Sequence, residues 1–209
     1  MLITLEGPDG AGKSVQARLL AERVSALGRE VVLTREPGGT ELGERIRTVL
    51  LQASPGDHDP LSDAFLFNAA RSRLVAEVVR PALGRGAVVV CDRYADSTLA
   101  YQGYGDGIPL VVLEELADHA TGGLKSARTV LIDVPVDIGL ARRQSGAAAD
   151  LTRFEQADSH GVQFHERVRR GYLKMAAAEP DRWRIVDGRG ELNEVRDGVW
   201  EAVADLFEG

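Results

Sequence analysis

Eight residues near the start of the chain have the types and spacing to cradle a phosphate chain. Gly7-Pro8-Asp9-Gly10-Ala11-Gly12-Lys13-Ser14 fits G-x-x-x-x-G-K-[ST] at every fixed position. Glycines let a loop curl so that successive N–H groups point inward at phosphate oxygens. A helix starting there adds unpaired N–H groups and the positive end of its dipole. Lys13 supplies a mobile charge for the outer phosphates, and the Ser14 hydroxyl can ligate Mg²⁺.

Other clusters could complete such a site. Asp92-Arg93 ends an apolar run. An acid there can hold Mg²⁺ directly or through water, and an arginine can grip a phosphate with two bonds. Thr34-Arg35-Glu36-Pro37-Gly38-Gly39-Thr40 reads as a rigid turn after a strand. A plain strand–helix connection with a surface ion pair also fits it. Phe67 and Arg71 are four apart, hence on one helix face, and an aromatic ring beside a planar guanidinium suits a nucleobase. Spacing alone favours Phe67 as a core residue. The polar-aromatic stretch Asp92 to Gly103 is either a site wall or a helix cap. Arg142, Arg143 and Arg153 flank an irregular segment that could fold over bound phosphates and bring positive charge to a transferring group.

Apolar runs alternate with helical patterns, so the class is α/β, a parallel sheet with helices on both faces. The expected strands are residues 2–6, 31–33, 87–91, 129–133 and 183–187, five in all. In the helix after the glycine-rich loop, Val15, Leu19, Leu20, Val24 and Leu27 give the apolar periodicity. A long helix is expected from about Leu61 to Arg80, ended or kinked by Pro81. The last helix is expected to reach Phe207. Ligands on such sheets sit beyond the carboxyl ends of the strands, where these clusters fall.

Composition narrows the class. The chain has 209 residues, 44% apolar, with net charge −7, enough for one domain with its own core and unfavourable for broad binding of a nucleic-acid polymer. One cysteine, Cys91, cannot form an internal disulfide, which fits a reducing cytoplasm. No stretch reads as a signal peptide or a membrane span, and the four histidines lack metal-ligand spacing.

Together the segments resemble the thymidylate kinase family. The resemblance covers nearly the whole chain and rests on Leu5-Glu6-Gly7-Pro8-Asp9-Gly10-Ala11-Gly12-Lys13-Ser14, TREPGGT at 34–40, DRYADSTLAYQG at 92–103, and Phe67 with Arg71. It implies a single P-loop domain over 1–209, a three-layer sandwich with a five-stranded parallel sheet and a small lid at about 142–158. It further implies ATP as phosphoryl donor, dTMP as acceptor, Mg²⁺, a cytoplasmic homodimer, and no polymer or membrane partner.

At matching positions, the resemblance implies that residues 7–14 bind ATP. Phe67 stacks on thymine, Arg71 bonds its carbonyl, and Thr98 approaches its polar edge. Tyr101 packs where a 2′-hydroxyl would lie. Asp9 sits by the sugar 3′-hydroxyl, Arg35 and Arg93 hold the acceptor phosphate, and Glu36 and Pro37 complete the substrate side. Ser14 and Asp92 are the metal candidates. Lys13, Asp9 and Arg93 join the catalytic set. The family places a further arginine in the P-loop or in the lid. Gly10-Ala11 offers none, so Arg142, Arg143 and Arg153 are the candidates. Relatives often carry an Arg-Gly and an Asp-Arg pair in the lid, where this chain has Ser145-Gly146 and Thr152-Arg153. The alternatives are a kinase for another nucleoside monophosphate and a catalytically weak nucleotide-binding relative.

Overall fold

Five apolar runs become strands: β1 (Leu2–Glu6), β2 (Val31–Arg35), β3 (Val88–Asp92), β4 (Arg128–Asp133) and β5 (Trp183–Asp187). They form one parallel sheet in the order β2-β3-β1-β4-β5. This is a computed structural model, and it describes residues 1–52, 59–145 and 157–208. The three interior strands are buried almost throughout, as strands covered on both faces must be, whereas β2 at the edge is half-exposed. Register matters for the site. Leu5 pairs with Asp92, Arg35 with Asp92, and Glu6 with Leu131, so the ends of β1, β2 and β3 are level.

Successive strand residues point to opposite faces. Ile3, Leu5, Val88, Val90, Val130 and Ile132 meet α1 (Lys13–Ala26) and α9 (Leu192–Glu201) through Leu20, Val24, Val195 and Val199. On the other face Leu2, Val89 and Cys91 meet α3 (Pro60–Leu74) and its continuation, and Leu131 and Trp183 meet α8 (Ala157–Ala178). The result is the expected α/β three-layer sandwich. The remaining helices are α2 (Glu41–Gln52), α4 (Arg80–Gly84), α5 (Ala95–Thr98), α6 (Leu110–Thr121) and α7 (Val136–Ser145).

Several boundaries differ from expectation for local reasons. In α1 the buried stripe is Gln16, Ala17, Leu20, Ala21 and Val24, while Val15 and Leu27 are exposed. Small alanines let this helix lie close on the sheet. β2 extends through Thr34 and Arg35, which pair with Cys91 and Asp92. Pro81 does not end the long helix. A π turn at Val75–Val79 precedes it, the Arg80 N–H reaches the Val75 carbonyl, and the helix continues to Gly84. The wider turn accommodates a residue that lacks an N–H and crowds the preceding turn. The last helix stops at Glu201, and Ala204–Leu206 forms a separate 3₁₀ turn.

Candidate active site

The phosphate-binding loop connects β1 to α1 over Gly7–Gly12. Gly10 and Gly12 have φ of 74° and 85°, left-handed values that carry the loop over the start of α1. Ala11 is buried beneath, and its N–H reaches the Pro8 carbonyl at 3.3 Å. Lys13 opens α1 and folds back so that Nζ donates to Pro8 O at 2.8 Å. Burial and the neighbouring Arg93 pull its pKa down to about 8, against Asp9, Asp92 and Glu6. One residue on, the Ser14 hydroxyl donates to Asp92 Oδ2 at the end of β3. Asp92 Oδ1 is buried without a hydrogen-bond partner among the described residues. A hydroxyl and a carboxylate are hard oxygen donors of the kind Mg²⁺ takes. Among the described residues no group of three His, Cys, Asp or Glu could hold a metal by itself.

Arg93 follows β3 with φ 69°, the only positive φ at a non-glycine among the described residues. Its Nη2 donates to Asp9 Oδ1 at 2.5 Å and to the Tyr101 hydroxyl at 3.2 Å. Burial raises the pKa of Asp9, but Arg93, Lys13, Arg143 and the Tyr101 hydroxyl outweigh it and hold the carboxyl below its ordinary value. Asp9 therefore sits charged among three cations.

Two pockets meet at this pair. One is bounded by Gly10, Gly12, Lys13, Ser14, Arg35 and Asp92. The other is bounded by Pro37, Phe67, Arg71, Thr98, Tyr101 and Gln102. Asp9, Glu36, Arg47 and Arg93 line both. Phe67 is half-buried, with one side against the Ile46–Leu50–Ala70 cluster. Arg71 is fully buried and held by Glu36 Oε2 (2.8 Å), Asn68 Oδ1 (2.7 Å), Tyr94 O (3.2 Å) and Thr98 Oγ1 (3.0 Å). Those partners use four of its five N–H donors. Tyr101 lies on a π turn, Leu99–Gly105, edge-on to Phe164 and Tyr172. The stretch 92–103 is thus a site wall.

The expected arginines divide. Arg35 is half-exposed and paired with Glu44 at 3.2 Å. Arg142 donates to the carbonyls of Gly188 (2.7 Å) and Arg189 (3.1 Å). The side chain of Arg143 is buried, its guanidinium 3.8 Å from Asp9 Oδ2, with no hydrogen-bond partner for any of its three nitrogens among the described residues. Arg153, and most of the segment expected as the lid, lies outside the described residues. Sequence alone gave no role to Arg47 on the cleft wall, or to Glu6, Ser97 and Tyr172 beneath Arg93. An acid ending an otherwise uncharged strand was the signal for Glu6. Tyr172 carried none, being joined to Glu6 only through the fold.

A parallel sheet with this loop, a buried lysine opening α1 and a second pocket beside it define a P-loop nucleotide kinase. The thymidylate kinase family model matches residues 5–199. This chain belongs to that family. It is 48% identical over 206 residues to the thymidylate kinase of Thermomicrobium roseum, covering 99% of this chain and 95% of that protein. With the thymidylate kinase of Deinococcus radiodurans the identity is 46% over 205 residues, covering 98% and 97%. The crystal structure of thymidylate kinase from Ehrlichia chaffeensis superposes with a TM-score of 0.78 at 34% identity, covering 98% of each chain.

Proposed function

We propose that this chain transfers the γ-phosphoryl group of ATP to dTMP, giving ADP and dTDP. The observation that carries the reading is the pair Asp9–Arg93, which lines both the phosphate-loop pocket and the Phe67–Tyr101 pocket. A donor in one and an acceptor in the other would meet there.

In this reading residues 7–14 bind the ATP phosphates. Phe67 stacks on thymine, with Arg71 and Thr98 at its polar edge, while Glu36 holds Arg71 and Pro37 closes the pocket wall. Tyr101 fills the space a ribose 2′-hydroxyl needs. Asp9 meets the sugar 3′-hydroxyl, and Arg35 and Arg93 grip the acceptor phosphate. That phosphate's second pKa is about 6, so its attacking oxygen is anionic at neutral pH and needs no general base. What remains is alignment and charge stabilisation of a spreading negative charge. Lys13 leaves Pro8 O for the transferring group, and Arg143 brings to it three nitrogens that have no hydrogen-bond partner among the described residues. Ser14 and Asp92 are the residues that would hold Mg²⁺, which supplies charge neutralisation on the phosphate oxygens. Arg142 braces α7 on the loop after β5, and Arg153 is a second candidate for the transferring group.

The chain acts as one kinase domain with its lid at about 142–158. No described helix is long and apolar enough to cross a membrane, and we place the enzyme in the cytoplasm. A homodimer is supported by Leu61 and Phe65 on α3 and Val111 and Val112 on α6, large apolar side chains that remain exposed on helices packed side by side.

The test is ADP release with Mg-ATP and a panel of dTMP, dUMP, dCMP, dGMP and TMP. Strong preference for dTMP is expected. Preference for another monophosphate would discard the base pocket and keep the fold. ATP binding without turnover on any of them would favour a nucleotide-binding relative.

A further inference from the structure

Glu6 is wholly buried at the end of β1, directly beneath the cleft. Its Oε1 accepts the Tyr94 N–H at 2.7 Å, and its Oε2 accepts the Ser97 hydroxyl at 2.6 Å and the Tyr172 hydroxyl at 3.0 Å. Above them, Arg93 Nη1 donates to those same hydroxyls at 3.1 and 3.4 Å. The four groups form a diamond, with a carboxylate at one end, a guanidinium at the other and two hydroxyls between.

A hydroxyl has one proton and two lone pairs, and by itself can point either way. Above about pH 7 Glu6 is ionised, and an ionised carboxylate only accepts. The Ser97 and Tyr172 hydroxyls also lie 2.9 Å apart, so each spends its proton on Oε2 or on the other hydroxyl, and both show Arg93 only lone pairs. The Tyr94 N–H bond also fixes the backbone one residue past the strained φ of Arg93. We propose that Glu6 is a positioning residue for the acceptor phosphate: through Ser97, Tyr172 and the Tyr94 amide it sets the direction in which Arg93 presents its guanidinium. This rests on the reading of Arg93 as a grip on the acceptor phosphate.

Glu6→Gln reverses the polarity of the diamond while keeping its shape. With the amide oxygen on the Tyr94 N–H, the amide NH₂ faces the two hydroxyls. They must turn to accept from it, and since only one of their protons can go to the other hydroxyl, at least one is aimed at Arg93. With the amide flipped, the Tyr94 N–H loses its acceptor. Either way Arg93 is misdirected.

The experiment, run above about pH 8 so that Glu6 is ionised, measures kcat and KM for dTMP by coupled ADP release. It adds the Kd of Mg-ATP by calorimetry and thermal unfolding, for wild type, Glu6→Gln, Arg93→Lys and the double variant. The expected result is a 10- to 100-fold loss in kcat/KM for dTMP in Glu6→Gln, carried mainly by KM, on the order expected for a lost charge-assisted contact. The Kd of Mg-ATP should stay within about twofold, and the double variant should be little worse than Arg93→Lys alone. A folded Glu6→Gln enzyme with wild-type KM and kcat would overturn the relay. So would equal weakening of dTMP and Mg-ATP, which marks a merely structural role. Wild-type dTMP kinetics in Arg93→Lys would instead overturn the grip assigned to Arg93, and the relay with it. If Glu6→Gln does not fold, Ser97→Ala/Tyr172→Phe decides: a selective rise in KM for dTMP supports the relay, and unchanged kinetics overturn it.

Discussion

The guanidinium of Arg93 and the carboxylate of Asp9 meet at 2.5 Å, tying the loop after β1 to the loop after β3. Asp9 also answers Lys13 and Arg143. Removing it leaves clustered cations short of one counter-charge, with Asp92 still beside Lys13 and Arg93. Asp9→Asn should lower unfolding free energy by roughly 1–3 kcal/mol, less than for a fully buried pair because Arg93 keeps a fifth of its side chain in solvent. Added dTMP should raise Tm more in this variant than in wild type, since its phosphate gives Arg93 a new partner. Thermal shift with and without dTMP checks both statements.

Lys13→Ala should cut kcat by about 10²–10³, the cost of losing one preorganised charge at a developing anion. The fold should survive, because the lysine amino group's hydrogen bond is to a loop carbonyl, Pro8 O, and not to a strand or the core. Steady-state kinetics beside far-UV circular dichroism would show it, and near-normal turnover would remove Lys13 from the mechanism.

Phe67 has one side in a small cluster and one on the pocket. Stacking on a base is worth about 1–3 kcal/mol, so Phe67→Ala should raise KM for dTMP roughly 5- to 150-fold. A large fall in Tm with an unchanged KM would assign the ring to the core instead.

Arg143→Ala should lower kcat on the order of 10³ with a smaller effect on KM, as for arginines that act on a transferring phosphoryl. Arg142→Ala should chiefly cost stability, since that side chain is bonded to the carbonyls of Gly188 and Arg189. Full turnover in Arg143→Ala would move the role to Arg153.

Burial, with Asp96 adding to it, pushes Glu6 from an ordinary 4.5 up to about 7, while Ser97, Arg93 and the Tyr94 N–H pull the other way. Between those values the folded state holds a proton that the unfolded chain has released. Wild type should therefore lose stability as pH rises from about 5 to 7.5, whereas Glu6→Gln lacks this contribution. Urea unfolding of both across that range should show a steeper decline in wild type. Parallel slopes would place the ionisation elsewhere.

Much of this site is written locally. The phosphate loop lies within eight residues, and Phe67 and Arg71 share a face because a helix returns every 3.6 residues. The same regularity hid the difference between Arg142 and Arg143. Neighbours on a helix point about 100° apart, so one braces a loop and the other faces Asp9, and only the packing of α7 says which. Tyr172 was illegible because it meets Glu6 across 166 positions. Pro81 misled because a proline stops an α-helix but not one that has just widened into a π turn.

The π turn at Leu99–Gly105 has a consequence for how this sequence can change. Such a turn carries one residue more than the α turn it replaces. A single-codon deletion there would let the segment relax to ordinary helix and rotate the residues downstream by about 100°. Tyr101, inside the turn, would leave the wall it shares with Arg93. Substitutions in this stretch change one contact each, but a one-residue length change reindexes the whole wall. Insertions and deletions should therefore be far rarer here among functional descendants than in the loop after α6.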